Sequence, residues 1–203
     1  MTTLQYLWPY TLSLRKNHYF CLLINDKTHY LWFLPCTRKS DFTAWFTHLD
    51  ALFANHYHSH MKILHTDQGG EYVNETLESY CAENGIDIEL TVPHTPEQNR
   101  VAEHSNWRVL DKGQMLLKDA GAPDFHFLWA DAFATAAYAI NHTVNSSLGD
   151  VTPFEAFFGW KPNISHMRVW YSDVFIHHCK RTKRSSEHTY CLYHGQREGG
   201  RAG

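Results

Sequence analysis

The chain has 203 residues, of which 43% are hydrophobic and 15% aromatic, and this composition predicts a globular domain with its own core rather than a disordered chain. The formal net charge of −3 is not that of a strongly basic nucleic-acid-binding protein. No apolar run approaches the roughly 18 residues that cross a bilayer, and the amino terminus lacks the regions of a secretory signal. Five scattered cysteines favour reduced thiols inside a cell. We therefore expect an intracellular protein without a membrane partner.

Two compositional features leave alternatives open. Residues 180–203 hold six Lys or Arg against two Glu, a local charge of +4, which fits a solvated tail first and a phosphate-contacting or nuclear-targeting segment second. The sixteen histidines include His56, His58 and His60, but no CxxC or HExxH partner accompanies them. We interpret them as surface or core-edge residues rather than as a zinc site.

The first half of the chain predicts a strand hairpin, a helix and a third strand. Apolar and branched residues at 18–24 and 30–34 predict two strands, joined by a turn at 25–28 and stopped by Pro35. Residues 61–65 predict a short strand that places Asp67 at its carboxyl end. Between them, a helix with Ser40 as its N-cap is predicted to bury the face formed by Phe42, Trp45, Phe46, Leu49, Leu52 and Phe53.

The second half predicts further helices and one more strand. Asn74 and Gly85 have the residue types that begin and end a helix. Polar and apolar residues alternate over 86–92, which predicts a strand with one wet face. Longer helices are predicted over 99–119 and 125–141, a short helix after Thr152 that ends at Gly159, and weak strands at 169–170 and 174–176.

The order of these elements predicts an α/β fold. A hairpin followed by alternating helices and strands implies a mixed sheet covered by helices. Ligands of such sheets collect at the carboxyl ends of the strands, which is where Asp67 lies. A second acid, Glu103, follows at a distance that leaves 35 residues between the two. Either acid alone has an ordinary structural interpretation, Asp67 in a turn and Glu103 on a solvated helix face, but together they could hold divalent metal ions for phosphoryl transfer.

Several ordered segments resemble the integrases of Ty1/copia-type retrotransposons. Residues 65–72, HTDQGGEY, resemble the family signature that contains its second acid, and residues 84–86 with 91–103 resemble the segment that contains its third. The resemblance covers roughly residues 6–180 and is far more specific than a lone motif. Further matches in the family's order are FLWADA at 127–132, AYAIN at 137–141, TPFE at 152–155, KPN at 161–163 and SHMRVW at 165–170.

The resemblance implies a ribonuclease-H-like fold, with a mixed five-stranded sheet flanked by helices over residues 1–145. A C-terminal extension over 146–203, partly helical and then irregular and basic, would follow it. Family members use three acids to hold two Mg²⁺ or Mn²⁺ ions and to process and join DNA, and Asp67 and Glu103 match the second and third of these acids. Hard cations prefer such oxygen ligands. Candidate DNA contacts are Gln98, Asn99, Arg100, Asn106, Arg108 and Lys112.

Three departures from the family pattern predict impaired catalysis. Tyr6 stands where the family has its first acid, and the glycine before Pro9 is missing. A phenol with a pKa near ~10 cannot supply the missing charge at neutral pH. Asn25 replaces the first acid of the family's I-D-D segment, and Arg100 replaces a glycine that lets the loop approach DNA. The chain therefore resembles a degenerate piece of a retrotransposon polyprotein.

Three hypotheses about function remain from the sequence. The first is an integrase catalytic core, nuclear in location, with DNA as its partner and Mg²⁺ or Mn²⁺ as its cofactor, whose strand transfer is close to background. The second is a non-catalytic remnant that binds nucleic acid or forms a homodimer, and the third is a product without function. DNA binding that needs no Mg²⁺ and weakens with salt would favour the second.

Overall fold

The computed structural model describes residues 2–6, 10–66, 74–90, 96–121 and 126–172, with the backbone alone described at residues 5, 6 and 96–102. Five strands and five α-helices follow one another in these residues. The strands are β1 (Thr2–Tyr6), β2 (Tyr19–Asn25), β3 (Leu31–Cys36), β4 (Ile63–Thr66) and β5 (Asp87–Leu90). The helices are α1 (Asp41–Tyr57), α2 (Glu75–Asn84), α3 (Pro96–Asp119), α4 (Trp129–Asn141) and α5 (Pro153–Phe158).

The strands form one mixed sheet in the order β3-β2-β1-β4-β5. Strand β2 is antiparallel to both β1 and β3, whereas β1, β4 and β5 run parallel to one another. Parallel neighbours need a crossover connection. Between β1 and β4 it runs through β2, β3 and α1, and between β4 and β5 it runs through α2. The predicted mixed five-stranded sheet flanked by helices is therefore confirmed.

The central strand β1 was not predicted from the sequence pattern, which indicated four strands within residues 18–92 and two weak ones near residues 169–176. Its sequence, TTLQY, is short and mostly polar, so it carries no apolar run. It is a strand because it lies between β2 and β4 and pairs with both. Thr2, Thr3 and Leu4 are all buried.

The predicted end of the second strand at Pro35 is wrong by two residues. Strand β3 continues through Pro35 to Cys36, and Pro35 pairs with Phe20 of β2. Because β3 is the edge strand of the sheet, the missing N–H of proline interrupts no second ladder.

Each face of the sheet has its own hydrophobic core. On one face, Phe20, Leu22 and Ile24 of β2 pack with Val109 of α3 and with Phe133 of α4. The other face packs against α1 and α2, with Leu4, Leu23 and Leu64 from the sheet and Phe42, Phe46 and Leu77 from the helices. Successive residues of β2 therefore alternate between the two cores, as strand geometry requires. This alternation fixes which face each position of β1 occupies.

Local signals placed the ends of the smaller helices correctly. The Asn74 side chain accepts a hydrogen bond from the Leu77 N–H at 2.8 Å, and Gly85 ends α2 in the left-handed conformation. Thr152 caps α5 in the same way. Ser40 is the N-cap residue of α1 but makes no side-chain cap bond. Leu52, predicted to be buried, is 40% exposed.

The segment after α4 differs from its prediction in part. Phe157 of α5 stacks on Tyr30 with ring centroids 5.1 Å apart and meets Trp32 edge-on, so α5 packs against the sheet domain. Trp170 lies in a turn rather than in the strand predicted at 169–170. The predicted strand at 174–176 and the basic residues 180–203 lie outside the described residues, and the domain boundary at 145 stays a prediction. Across the described part of the chain, every helix is too short or too polar to traverse a bilayer.

Candidate nucleic-acid and metal site

The predicted site residues divide into three groups. Asp67 lies outside the described residues, so its separation from Glu103 stays untested. Gln98, Asn99 and Arg100 lie in the first turns of α3, where only the backbone is described. The structure gives positions for the remaining four side chains, which are those of Glu103, Asn106, Arg108 and Lys112, all on α3.

The strand register shows which residues of β1 stand near the end of β4. Thr66, the last residue of β4, pairs with Leu4 of β1. Beyond Leu4, Gln5 pairs with Leu22 and Tyr6 pairs with Cys21. Leu22 belongs to the core under α3 and α4, whereas Cys21 belongs to the core under α1 and α2. Register position 5 therefore lies on the sheet face that α3 covers, and register position 6 lies on the opposite face.

Strand β1 thus contributes no carboxylate to either face of the sheet. Its five residues are Thr2, Thr3, Leu4, Gln5 and Tyr6. Tyr6 matches the family's first acid by its place in the motif, but Gln5 has the register position that faces α3. Neither side chain supplies the anionic oxygens that Mg²⁺ prefers.

Glu103 is exposed on α3, and Asn106, three residues later, is 7% exposed. The two are neighbours along one side of the helix, but they differ in environment, because Asn106 is buried and Glu103 is exposed. Glu103 also borders a cavity of about 580 Å³. The opposite side of this cavity is formed by His29, in the turn after β2, and by Ser146, in the segment after α4.

Arg108 carries the positive charge of this cavity. Its side chain is half-buried, and burial lowers the pKa of the guanidinium. Burial also lowers the pKa of the His29 imidazole; the nearby Asp26 carboxylate opposes this effect, whereas the Arg108 charge adds to it. Lys112 is exposed one turn further along α3 from Arg108.

A row of polar residues lies on the same sheet face as the first core; Thr3 and His65 in it are buried, and Glu89 is exposed. Thr3 of β1 pairs with His65 of β4, which in turn pairs with Glu89 of β5. The His65 Nδ1 atom lies 3.6 Å from the Glu89 carboxylate. Asp26 accepts a hydrogen bond from the Thr3 hydroxyl at 3.1 Å. Burial raises the pKa of the Asp26 carboxyl group, against the lowering effects of that hydrogen bond and of nearby positive charges.

The described residues do not fit a three-carboxylate metal centre. Within the described ranges, no group of three His, Cys, Asp or Glu side chains is arranged to hold a metal ion. Glu103 is the one predicted metal ligand whose side chain is described there, and β1 offers no acid beside it. Strand β1 therefore supplies no carboxylate to a metal centre among the described residues.

Sequence reasoning missed the residues opposite α3. His29 is 74 residues away from Glu103 along the chain, and Ser146 is 43 residues away in the other direction. Neither residue belongs to a motif or to a periodic pattern, so nothing in the sequence indicated that they lie near Glu103. The one local sign is in the backbone, since His29 adopts the left-handed conformation with a φ of 56°, which non-glycine residues seldom do.

Comparison with known proteins adds an independent line of evidence. Residues 8–96 match the model of the integrase core domain family. The retrovirus-related Pol polyprotein from transposon TNT 1-94 of Nicotiana tabacum is 32% identical over 185 residues, which is 90% of this chain and 14% of that protein. The retrovirus-related Pol polyproteins from transposons RE2 and RE1 of Arabidopsis thaliana are each 31% identical over 159 residues, which is 78% of this chain and 11% of each. The chain thus spans about a seventh or less of these relatives.

Proposed function

Because the chain belongs to the integrase core family of copia-type retrotransposon Pol polyproteins, we propose that it binds DNA as an integrase core but joins DNA strands at close to background rate. The observation that supports this proposal is the sequence of β1, TTLQY, which contains no carboxylate where the motif resemblance expects the first acid. Three acids around two metal ions clamp the attacking and leaving oxygens of an in-line displacement. With one acid replaced, that clamp is incomplete.

Metal affinity is expected to fall for the same reason. Asp67 and Glu103 together could hold one Mg²⁺ weakly, with water completing its octahedral shell. Calorimetric titration should therefore detect weak binding of Mg²⁺ or Mn²⁺ that Asp67→Asn removes. Tight binding of two ions per chain would contradict the proposal.

Strand joining tests the catalytic half of the proposal directly. We expect incubation with a labelled donor oligonucleotide and Mg²⁺ or Mn²⁺ to give product at the level of a no-protein control. Joining that depends on metal and is abolished by Asp67→Asn would overturn this half.

Restoring the acid tests the register argument. Gln5→Asp places a carboxylate at the β1 position that faces α3, and Tyr6→Asp places it at the position matched by motif. We expect Gln5→Asp to restore some metal binding. Tyr6→Asp is its matched control and should restore none. Recovery in Tyr6→Asp alone would show that the motif alignment identifies the site better than the strand register does.

A second candidate function is DNA binding without any catalytic role. It is favoured by Arg108, a half-buried cation that lines a cavity beside Glu103. Binding of this kind should persist in EDTA, weaken steeply as salt increases, and survive Asp67→Asn and Glu103→Gln in the same chain. Loss of all binding in that double variant would instead tie DNA binding to the acidic site.

A further inference from the structure

Two cysteines that are distant in sequence meet inside the sheet. Cys21 belongs to β2, and Cys36, 15 positions later, is the last residue of β3. Their Sγ atoms lie 3.4 Å apart, and both side chains are buried in the core under α1 and α2. Both residues are present as thiols. Neither belongs to a motif that resembles the integrase family, so the candidate site makes no use of this pair.

The strand register explains why these two side chains meet. In the antiparallel pair of β2 and β3, Cys21 is opposite Leu34 and Cys36 is opposite Tyr19, so the cysteines are diagonal neighbours. Both lie on the sheet face that α1 and α2 cover. The Cys36 thiol also donates a hydrogen bond to the Leu34 carbonyl at 3.4 Å, which keeps its sulfur next to Cys21. The proximity is therefore built into the sheet.

A bond between these sulfurs requires only a small movement. A disulfide is about 2.05 Å long, so the sulfurs must approach each other by roughly another 1.4 Å. Diagonal residues of an antiparallel pair have Cα atoms about 7–8 Å apart, which is slightly beyond the usual range for a disulfide. Strand β3 can shift to close this gap, because it is the edge of the sheet and Cys36 is its last residue. A bridge formed with such a shift is easily reduced again.

The position of Cys36 also gives an oxidant access to the pair. Its side chain is 1% exposed, but the two residues that follow it, Thr37 and Arg38, are exposed. The ends of strands open locally at low cost in free energy, and opening at this end uncovers the Cys36 sulfur. Cys21 lies within the buried run of β2. Cys36 is therefore the thiol that meets the oxidant, and Cys21 is the thiol that reacts with it afterwards.

We propose that Cys21 and Cys36 form a reversible disulfide when the chain meets a peroxide, and that this bridge fastens the end of β3 to β2. In the first step, the Cys36 sulfur attacks one peroxide oxygen, the O–O bond breaks, and the products are a sulfenic acid and water. In the second step, the Cys21 sulfur attacks the Cys36 sulfur, the S–O bond breaks, and the hydroxyl leaves as water with the Cys21 thiol proton. Two thiols are thus oxidised to one disulfide, and one hydrogen peroxide is reduced to two waters.

Cys81 provides a matched control within the same core. It is as buried as Cys36, but it lies inside α2 rather than at the end of a strand. Burial and the Asp50 carboxylate raise the pKa of its thiol to about 11, so little of the reactive thiolate forms at neutral pH. We therefore expect Cys81 to stay reduced under conditions that oxidise the pair.

The test is treatment of the full chain with hydrogen peroxide at neutral pH. The variants Cys179→Ala and Cys191→Ala are combined in it, so that cysteines outside the described residues do not contribute. Thiols are then counted in urea, and linked peptides are identified by mass spectrometry. We expect the thiols of Cys21 and Cys36 to disappear, a monomeric product lighter by two hydrogen atoms, and full recovery with dithiothreitol. These readouts use no nucleic acid, so they do not depend on whether the chain binds DNA.

Hydrogen exchange tests whether the bridge fastens β3. The His18 N–H donates to the Cys36 carbonyl at 3.0 Å, so it reports on opening at the end of this strand. Its exchange should slow several-fold after oxidation and return to the original rate on reduction. An exchange rate that oxidation leaves unchanged would overturn the fastening role.

Single variants identify the thiols that react. Cys21→Ala should abolish the link and leave Cys36 to oxidise further to a sulfinic acid, and Cys36→Ala should abolish the link and protect Cys21. Cys81→Ala should leave the link unchanged. If a variant fails to fold, as circular dichroism would show, the peptide map of the chain that retains all three cysteines still decides the question. A link that includes Cys81, a sulfinic acid at Cys36 while Cys21 is present, or thiols that peroxide leaves intact would overturn the proposal.

Discussion

Gly113 lies in the middle of α3, where a glycine is normally unfavourable, and its packing against α4 explains why it is tolerated. An ideal Cβ at this position would lie 2.0 Å from Cδ1 of Phe133 and 2.7 Å from Cε1. Carbon atoms in contact are normally about 3.5–4.0 Å apart. The variant Gly113→Ala therefore requires the Phe133 ring or one of the helices to move by roughly 1.5 Å.

The ring has little room to move. Phe133 is 1% exposed, and its ring contacts those of Tyr10, Phe20 and Trp129 at centroid distances of 5.5, 5.8 and 5.8 Å. Overpacking in such a core costs about 1–3 kcal/mol or somewhat more, whereas alanine gains about 1 kcal/mol of helix propensity over glycine. Because the 2.0 Å approach is severe, we expect a cost in the upper part of that range, about 2–3 kcal/mol, and so a net loss of about 1–2 kcal/mol in the free energy of unfolding.

Urea and thermal denaturation measure this loss. For a chain of this size, the expected fall in Tm is about 2–8 °C. Ala51→Gly, at an exposed position of α1, calibrates the propensity contribution in the same protein. The double variant Gly113→Ala with Phe133→Leu should recover part of the loss, because the two sites are in contact and their effects couple. A Gly113→Ala variant with a higher Tm than the wild-type chain would refute the packing argument.

Three further predictions concern the α1–α2 side of the sheet and the cap of α5. Asp50→Asn should lower the free energy of unfolding by about 2–4 kcal/mol in urea, because the buried carboxylate accepts hydrogen bonds from the Met61 N–H at 2.7 Å and the Tyr80 hydroxyl at 3.0 Å; an unchanged midpoint would contradict this. Burial and Asp50 raise the pKa of Tyr80 to about 12, so its contribution to stability is complete below its ordinary pKa of 10 and is lost as pH rises toward 12. Unfolding measured between pH 9 and 12 should show that slope, and Tyr80→Phe should reduce it. Thr152→Ala should cost about 1 kcal/mol by removing the hydrogen bond that the Glu155 N–H donates to the Thr152 hydroxyl at 3.0 Å, and a thermal shift within error would argue against that cap.

The elements that the sequence predicted well are those whose determinants are local. Asn74 and Gly85 set the ends of α2 through their own backbone and side-chain geometry, and Thr152 and Gly159 do the same for α5. Each such signal needs only neighbours within about four residues, so it can be read without knowledge of the fold. The spacing of apolar residues in α1 identified the helix but overestimated its buried face, because Leu52 is exposed.

What could not be predicted depends on contacts between distant residues. Strand β1 has too few apolar residues to be predicted from its sequence, and it is a strand because β2 and β4 pair with it on both sides. Pro35 was expected to end a strand because proline lacks an N–H, but β3 is an edge strand, so no second neighbouring strand needs that N–H. Gly113 owes its place to Phe133 of another helix, and the cavity at Arg108 needs His29 from a turn. These features follow from topology, which no local pattern specifies.

The candidate site was predictable as a family assignment but not as a geometry. Motif order identified Glu103 and Asp67 as counterparts of two acids, and the comparisons confirm the family. The register of β1 added what the motif did not contain, namely that position 5 rather than position 6 lies on the face covered by α3. The motif resemblance had selected Tyr6 because it precedes Leu7 and Trp8 as the acid does in the family, and a one-residue shift in a strand changes the face on which a side chain lies.

The two parts of the proposed function depend on different physical requirements, and this explains how one could be lost without the other. Strand β1 is held by pairing with β2 and β4 and by the buried Leu4, so its place in the sheet does not depend on an acid at position 5 or 6. Replacement of that acid removes a metal ligand without weakening the sheet. The guanidinium of Arg108 sits on α3, which is anchored independently through Val109 in the core. Under the proposed function, the chain can therefore keep its fold and its DNA binding without the first acid, so binding in EDTA, rather than strand joining, is the measurement that separates a DNA-binding protein from an inert one.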